Sequence, residues 1–367
     1  MAGRLSIVLV GFLASACTTG LGPHALHGER PDYNEQIVRS ADEEMLLNLV
    51  RLRYNDSPLF LELGTVVAQY NYNASLNASG NVDGVGTGNA TFGTGLGYSE
   101  SPTITYTPLK GEDFATRMLT PLPLNSLMFF SQNGWSENRL MRLAVQRLND
   151  VYNAPTASGP TPEAAPDYAA FADLAEHMHR LQLAGLVGLN WEEKEHEKDP
   201  PGHNPRFWIH APADPRSPLA ADVAAVRRAL ALEPGRDEFK LTAFPFGRKP
   251  TEVGLRCRSL LGMLYFLSAS VEPPPEHVAA GLVTVTRDEA GRPFDWSKAT
   301  DGIMAVHSQR DRPTRASVAV RHRGWWFYVA DDDQSSKKTF GLLNILFSLQ
   351  SVSPKGGAPV LTLPVGQ

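Results

Sequence analysis

The chain has 367 residues, of which 42% are hydrophobic and 20% charged, so it can bury a sizeable core and is not globally disordered. Its formal net charge of −5 excludes the basic footprint of a nucleic-acid binder. There are two cysteines, Cys17 and Cys257, and if Cys17 is modified no intrachain disulfide can form.

At the N-terminus, Arg4 and the free amine are positive, Leu5 to Leu13 form an apolar run, and Ala14, Ser15 and Ala16 are small. This is the grammar of a secretory signal, and the run is too short to span a bilayer. Leu13-Ala14-Ser15-Ala16-Cys17 resembles the lipobox of bacterial lipoproteins, with Ala14 where that class prefers leucine. The resemblance implies cleavage after the signal peptide 1–16 and acylation of Cys17. With Thr18 rather than Asp after the cysteine, it also implies sorting to the outer membrane. An ordinary cleaved signal remains the alternative. Each buried methylene contributes about 0.8 kcal/mol, so stable attachment takes two or more chains.

Residues 17–34 read as the lipidated cysteine and a tether, because Gly20, Gly22, Pro23, Gly28 and Pro31 interrupt any periodicity. Asn34 is placed to cap a helix in which Ile37, Ala41, Met45, Leu49 and Leu52 form one stripe. Asn55-Asp56-Ser57-Pro58 stops it.

The stretch 66–107 has a different texture. Ala68, Tyr70, Tyr72, Ala74, Leu76 and Ala78 alternate with Gln69, Asn71, Asn73, Ser75, Asn77 and Ser79. A glycine-rich tip follows. On the return, Ala90, Phe92, Leu96, Tyr98, Ile104 and Tyr106 share one parity, with small polar residues and glycines on the other. Period two puts each set on its own face of a sheet. No charge falls between Ala68 and Asn81, and the first on the return arm is Glu100. A transmembrane strand needs about 9–11 residues with apolar side chains outward. Ala68, Tyr70, Tyr72, Leu76, Phe92, Leu96 and Tyr98 are therefore candidate membrane or assembly residues. The same pattern also fits a soluble hairpin laid on helices at 35–53 and 137–150.

Helical patterns continue at 111–119, 123–132 and 137–150, so 35–153 reads as a helical region carrying the inserted hairpin. Pro155, Ser158, Gly159, Pro160, Pro162 and Pro166 suggest a linker at 154–166. Residues 167–367 mix helices and short strands. A helix is expected at 167–186 and another at 219–232, with strands at 207–209 and 238–246. Pro250-Thr251-Glu252 opens an apolar helix to about Val271, capped by Thr251 and holding Cys257 as a core thiol. Strands are expected at 303–307, 316–321 and 325–329, then a helix at 336–350 and a last strand near 359–364. The mixture predicts an α+β fold: a lipid-tethered periplasmic body bearing a long amphipathic hairpin and ending in a strand/helix unit.

Signals of chemistry are weak. The glycines of the tip lack the following Lys-Ser/Thr of a phosphate loop. Asp331-Asp332-Asp333 reads as a helix-capping turn. His177 and His179 point about 200° apart on a helix and cannot share a metal there. His196, His203 and His210 lie among acids in a solvated stretch. Trp325, Trp326 and Tyr328 are candidate docking aromatics. No catalytic residue, metal or cofactor is expected. The expectation is a non-enzymatic outer-membrane lipoprotein facing the periplasm, anchored in membrane lipid through acylated Cys17. Its hairpin would join a homo-oligomer or an envelope complex of the pore or export type. The alternatives are a monomeric partner-binding scaffold and an envelope-polymer hydrolase.

Overall fold

An apolar helical face between residues 45 and 52 organises the body. The computed structural model describes residues 21–67, 70–81, 89–100, 103–191, 205–243, 249–350 and 361–364. Helix α1 (Leu21–Arg53) buries Met45, Leu46, Leu49, Val50 and Leu52, a spacing that fits 3.6 residues per turn. It begins at Leu21, so the helix start expected near Asn34 lies earlier in the chain and Asn34 is not its cap. Pro31 lies inside the helix. Its ring fixes φ near the helical value, and the helix is deprived of one backbone donor there.

Behind α1 lie β1 (Leu61–Val67), β2 (Tyr70–Asn81), β3 (Asn89–Glu100) and β4 (Thr103–Pro108). Three helices follow: α2 (Glu112–Leu119), α3 (Leu124–Gln132) and α4 (Glu137–Ala144). The helix expected over 137–150 stops at Ala144. The chain turns into β5 (Val145–Leu148) and β6 (Val151–Tyr152), with Asn149 at φ 49° making the turn. Asn149 also bridges away from the hairpin, donating from Nδ2 to Leu230 O at 2.7 Å and accepting from Gly254 N at 2.8 Å.

Residues 154–166 are not a linker. Pro155–Ser158 form a 3-10 turn, Ala154 and Ala157 are buried, and Thr286 donates to Pro162 O at 2.6 Å. The core residues on both sides belong to one hydrophobic cluster running from Met45 to Leu346. Prolines here shape a packed crossing, since Pro sets φ without requiring exposure.

Next come α5 (Ala169–Leu183), β7 (Val187–Trp191), β8 (Pro205–Ile209), α6 (Pro218–Ala229), β9 (Glu238–Thr242), β10 (Glu252–Cys257) and α7 (Leu260–Ser268). The helix expected from 251 is therefore a strand first. Val253, Gly254, Leu255 and Cys257 are buried while Arg256 is exposed, because β10 is central in the six-stranded sheet β6-β5-β10-β9-β8-β7. A strand covered on both faces reads as a continuous apolar run, which periodicity cannot separate from a helix. The cap is Ser259, whose Oγ accepts from Gly262 N at 3.1 Å, not Thr251. Cys257 is buried as expected of a core thiol, and burial pushes it up to about 12.

The C-terminal part adds α8 (Pro275–Ala279), α9 (Ser297–Thr300), β11 (His307–Gln309), β12 (Ala316–His322), β13 (Trp325–Ala330), α10 (Gln334–Gln350) and β14 (Leu361–Pro364). β11, β13 and β12 form an antiparallel sheet in that order. The fold is mixed α+β, and no helix among the described residues is long and apolar enough to cross a membrane.

Candidate functional site

The hairpin begins where α1 ends, and buried polar side chains of α1 place it. Asn48 is fully buried and pairs like a backbone with Leu59, donating to its O at 2.7 Å and accepting from its N at 2.9 Å. One turn earlier, Glu44 Oε1 accepts from Leu61 N at 2.8 Å. Burial raises the Glu44 carboxyl, opposed by that bond and by Arg51. Phe60 packs between Phe114 and Phe347 at ring separations of 6.1 and 4.9 Å. These contacts fix the first residue of β1 against the body.

From there two arms rise antiparallel. In the β1/β4 root, Leu61 pairs with Pro108 and Val67 with Thr103, with one bulge between Leu63 and Val66. Beyond it, β2 and β3 pair without interruption from Tyr70↔Glu100 to Asn81↔Asn89. The step from Val67↔Thr103 to Tyr70↔Glu100 is three residues on each arm, so root and ribbon share one register. That register puts residues of even number from both arms on one face. Tyr72 lies opposite Tyr98, Ala74 opposite Leu96 and Ala78 opposite Phe92. Leu76 faces Thr94, the one polar interruption between Tyr72 and Ala78. The other face pairs Asn71 with Ser99, Asn73 with Gly97, Ser75 with Gly95, Asn77 with Gly93 and Ser79 with Thr91. Tyr70, Tyr72, Leu76, Phe92, Leu96 and Tyr98 thus share one face, with Glu100 at its root end opposite Tyr70. Ala68 and Cys17 lie outside the described residues.

The edges differ along the ribbon. At the root, β14 pairs with β4 from Leu361↔Tyr106 to Pro364↔Thr103, giving the order β1-β4-β14. Along β2 and β3, no described strand pairs with either outer edge, and no described helix packs along either strand. Helix α1 packs against β12 and α7, and α4 against α5.

Strand alternation divides the aromatic run of β13. Phe327 and Val329 enter the core and Trp325, of the same parity, packs half-buried against it, while Trp326 and Tyr328, on the other face, are half-buried. Trp325 Nε1 donates to Glu276 Oε1 at 2.6 Å, and Arg310 lies 4.6 Å over its ring. Arg312 lies 5.4 Å over Trp326, and Tyr328 sits 5.6 Å from the His307 ring. The chain's own cations and His307 therefore meet all three.

His177 Nδ1 lies 2.6 Å from Asp222 Oδ1, and Arg180 also pairs with that carboxylate. The Arg180 guanidinium, then His177, hold Asp222 below the usual carboxylate range against its partial burial. His179 Nδ1 is 3.4 Å from Gln182 Oε1. His196 and His203 lie outside the described residues, and His210 is 3.3 Å from Asp237. Asp333 Oδ1 accepts from Ser335 N and Ser336 N, both at 3.0 Å, which is the capping geometry expected for that turn. No group of three His, Cys, Asp or Glu among the described residues is placed to hold a metal ion.

Sequence reading missed three buried polar features. Arg258 is 1% exposed and donates from Nη1 to Arg142 O and Leu143 O, each at 2.9 Å, and to Val145 O at 3.2 Å. Nη2 reaches Asn153 O, and the group lies 4.1 Å over Phe266. It serves the free carbonyls at the end of α4, where a cation is favoured, and burial pushes it down to about 9. Glu137 is buried at the start of the same helix and is pushed up to about 7 by burial, against the hydrogen bond from Ser131. Beside the hairpin root, Tyr54 Oη lies 2.7 Å from His277 Nδ1, and Arg323 bridges to Asp56 at 3.1 Å. The only sequence signal for these was a polar residue inside an apolar stretch. Comparison with protein-family models, curated proteins and solved structures finds no match.

Proposed function

We propose that this chain is a non-enzymatic outer-membrane lipoprotein, held through acylated Cys17, whose hairpin joins those of other copies in a closed β-sheet that forms an envelope pore. The observation that carries the reading is the twelve-pair ribbon from Tyr70↔Glu100 to Asn81↔Asn89, one face of it mainly apolar apart from Thr94 and the terminal Glu100 and the other neutral, with both outer edges unpaired among the described residues. At about 3.4 Å per residue, twelve residues extend about 40 Å, and a tilt of about 40° leaves roughly 30 Å along the bilayer normal. That matches the hydrocarbon core.

A single ribbon in lipid would leave both edges unsatisfied, at several kcal/mol for each backbone group. Pairing the β2 edge of one copy with the β3 edge of the next removes that cost and closes a ring. The smallest common barrels have about eight strands, which sets about four copies as the minimum. In such a ring Tyr72, Leu96, Phe92 and Tyr98 meet lipid and the Asn, Ser and Gly face lines the lumen.

The test is the mass of the full-length protein extracted in mild detergent, with protease protection of 66–107 read on the same sample. A ring of defined copy number with a protected hairpin supports the reading. A monomer whose hairpin is cleaved overturns it. Cys17→Ser should separately abolish the acyl mass.

A further inference from the structure

Arg53, the last residue of α1, is 5% exposed. Its Nη1 donates to Thr284 O at 3.1 Å, while Nε is buried with no hydrogen-bond partner. No carboxylate among the described residues pairs with it. Buried charges are ordinarily paired, because leaving one alone in a low-dielectric site costs several kcal/mol. Arg53 also lines a cavity of about 580 Å³, within the size range of small-molecule sites. Val271, Val278, Phe294, Trp296 and Met304 contribute apolar wall to the same cavity.

Three of the four carboxylates around this cavity are engaged elsewhere. Glu272 pairs with His307 at 3.1 Å, Asp295 accepts from Ser297 N at 3.0 Å, and Asp333 caps α10 through Ser335 N and Ser336 N. Asp301 is the fourth. None of them neutralises Arg53, yet together they disfavour a multiply charged anion. The complement of one buried guanidinium, an apolar wall and an acidic surround is a singly charged molecule with an apolar body.

We propose that this cavity binds a small organic carboxylate, its carboxylate group on the Arg53 guanidinium and its apolar body against Val271, Val278, Phe294, Trp296 and Met304. A guanidinium fork receives a carboxylate through two parallel N–H···O bonds. The site is independent of the hairpin and of any ring.

Benzoate is the probe, titrated by calorimetry into the full-length protein in mild detergent at constant ionic strength. Saturable binding is expected, weakened about tenfold or more in Arg53→Met, as loss of a charge-assisted hydrogen bond predicts. Val278→Trp, at a position 36% exposed, should abolish binding by filling the cavity while leaving Arg53 in place. The unfolding midpoint should rise with benzoate in the unaltered chain and stay flat in both variants. No benzoate binding, or equal binding in the unaltered chain and Arg53→Met, overturns the proposal. Inorganic phosphate binding as tightly as benzoate would also overturn it, by showing a bare anion site.

Discussion

The ribbon β2–β3 and the central strand β10 are both β-structure, yet they are built in opposite ways. In β2 and β3, apolar and neutral residues alternate along each arm, broken on the apolar parity by Gly80, Thr94 and Glu100, and among the described residues the two strands pair only with each other. In β10, five consecutive residues from Val253 to Cys257 include a single exposed one, Arg256, and both neighbouring strands are body strands. Period two is therefore visible where the two faces meet different surroundings, and vanishes where both faces are buried. One sheet carries its instructions in its own alternation; the other takes them from its neighbours.

The largest effect that could break this contrast concerns the ribbon. Under the pore reading, Leu96→Arg puts a charge on the lipid face of every copy, at about 2–4 kcal/mol each near the midplane. The expected outcome is loss of the detergent-stable oligomer with an unchanged unfolding midpoint of the body. Intact rings would mean that this face does not meet lipid.

In the body the next largest effect is at Arg258. Arg258→Met leaves Arg142 O, Leu143 O, Val145 O and Asn153 O without their donor and should destabilise the protein by about 3–5 kcal/mol, read by urea unfolding. The oligomer should be unaffected wherever the body remains folded.

Glu137 gives a pH-dependent test. Its folded-state pKa, about 7, lies above the ordinary value of 4.5. The folded protein therefore holds this proton more tightly than the unfolded chain. That stabilisation is present below about pH 4.5 and is lost as pH rises to about 7. Glu137→Gln should leave stability at pH 4 nearly unchanged and raise it by about 3 kcal/mol at pH 8. Equal effects at the two pH values would show that the carboxyl is not held neutral by burial.

The smallest effect marks the strand-to-helix boundary after β10. Ser259→Ala should cost about 1 kcal/mol, as removal of an N-cap does, and Thr251→Ala close to nothing. The reverse order would restore the continuous helix that the residue pattern suggests over 251–271.

Legibility follows the same division. The amphipathic helices α2, α3, α5 and α6 and the strands β12 and β13 stand close to where their periodicity places them. The 137–150 pattern hid a change from helix to strand at Ala144, because Leu140, Leu143, Val145 and Leu148 are buried on either side of it. Proline spacing at 154–166 suggested a boundary, but Thr286 and Arg258 draw that segment into the core. Of the candidate hairpin, the shared face of Tyr72, Leu96 and Tyr98 was legible, since parity alone assigns faces once the arms pair. The anchoring of its root by Asn48 and Glu44 was not, because each partner lies beyond the helix end and the bond depends on the turn between them.

By itself the sequence determined the mixed α+β composition, the alternation of the two hairpin arms and the core thiol character of Cys257. These depend on local period and on apolar content, which neighbouring residues carry. Tertiary structure decided that 252–257 is a strand, that 154–166 is packed, and that Arg53 ends buried on a cavity wall without a carboxylate partner among the described residues. Those outcomes depend on which distant segment covers a residue, and a buried charge reveals its surroundings only when the chain around it has closed.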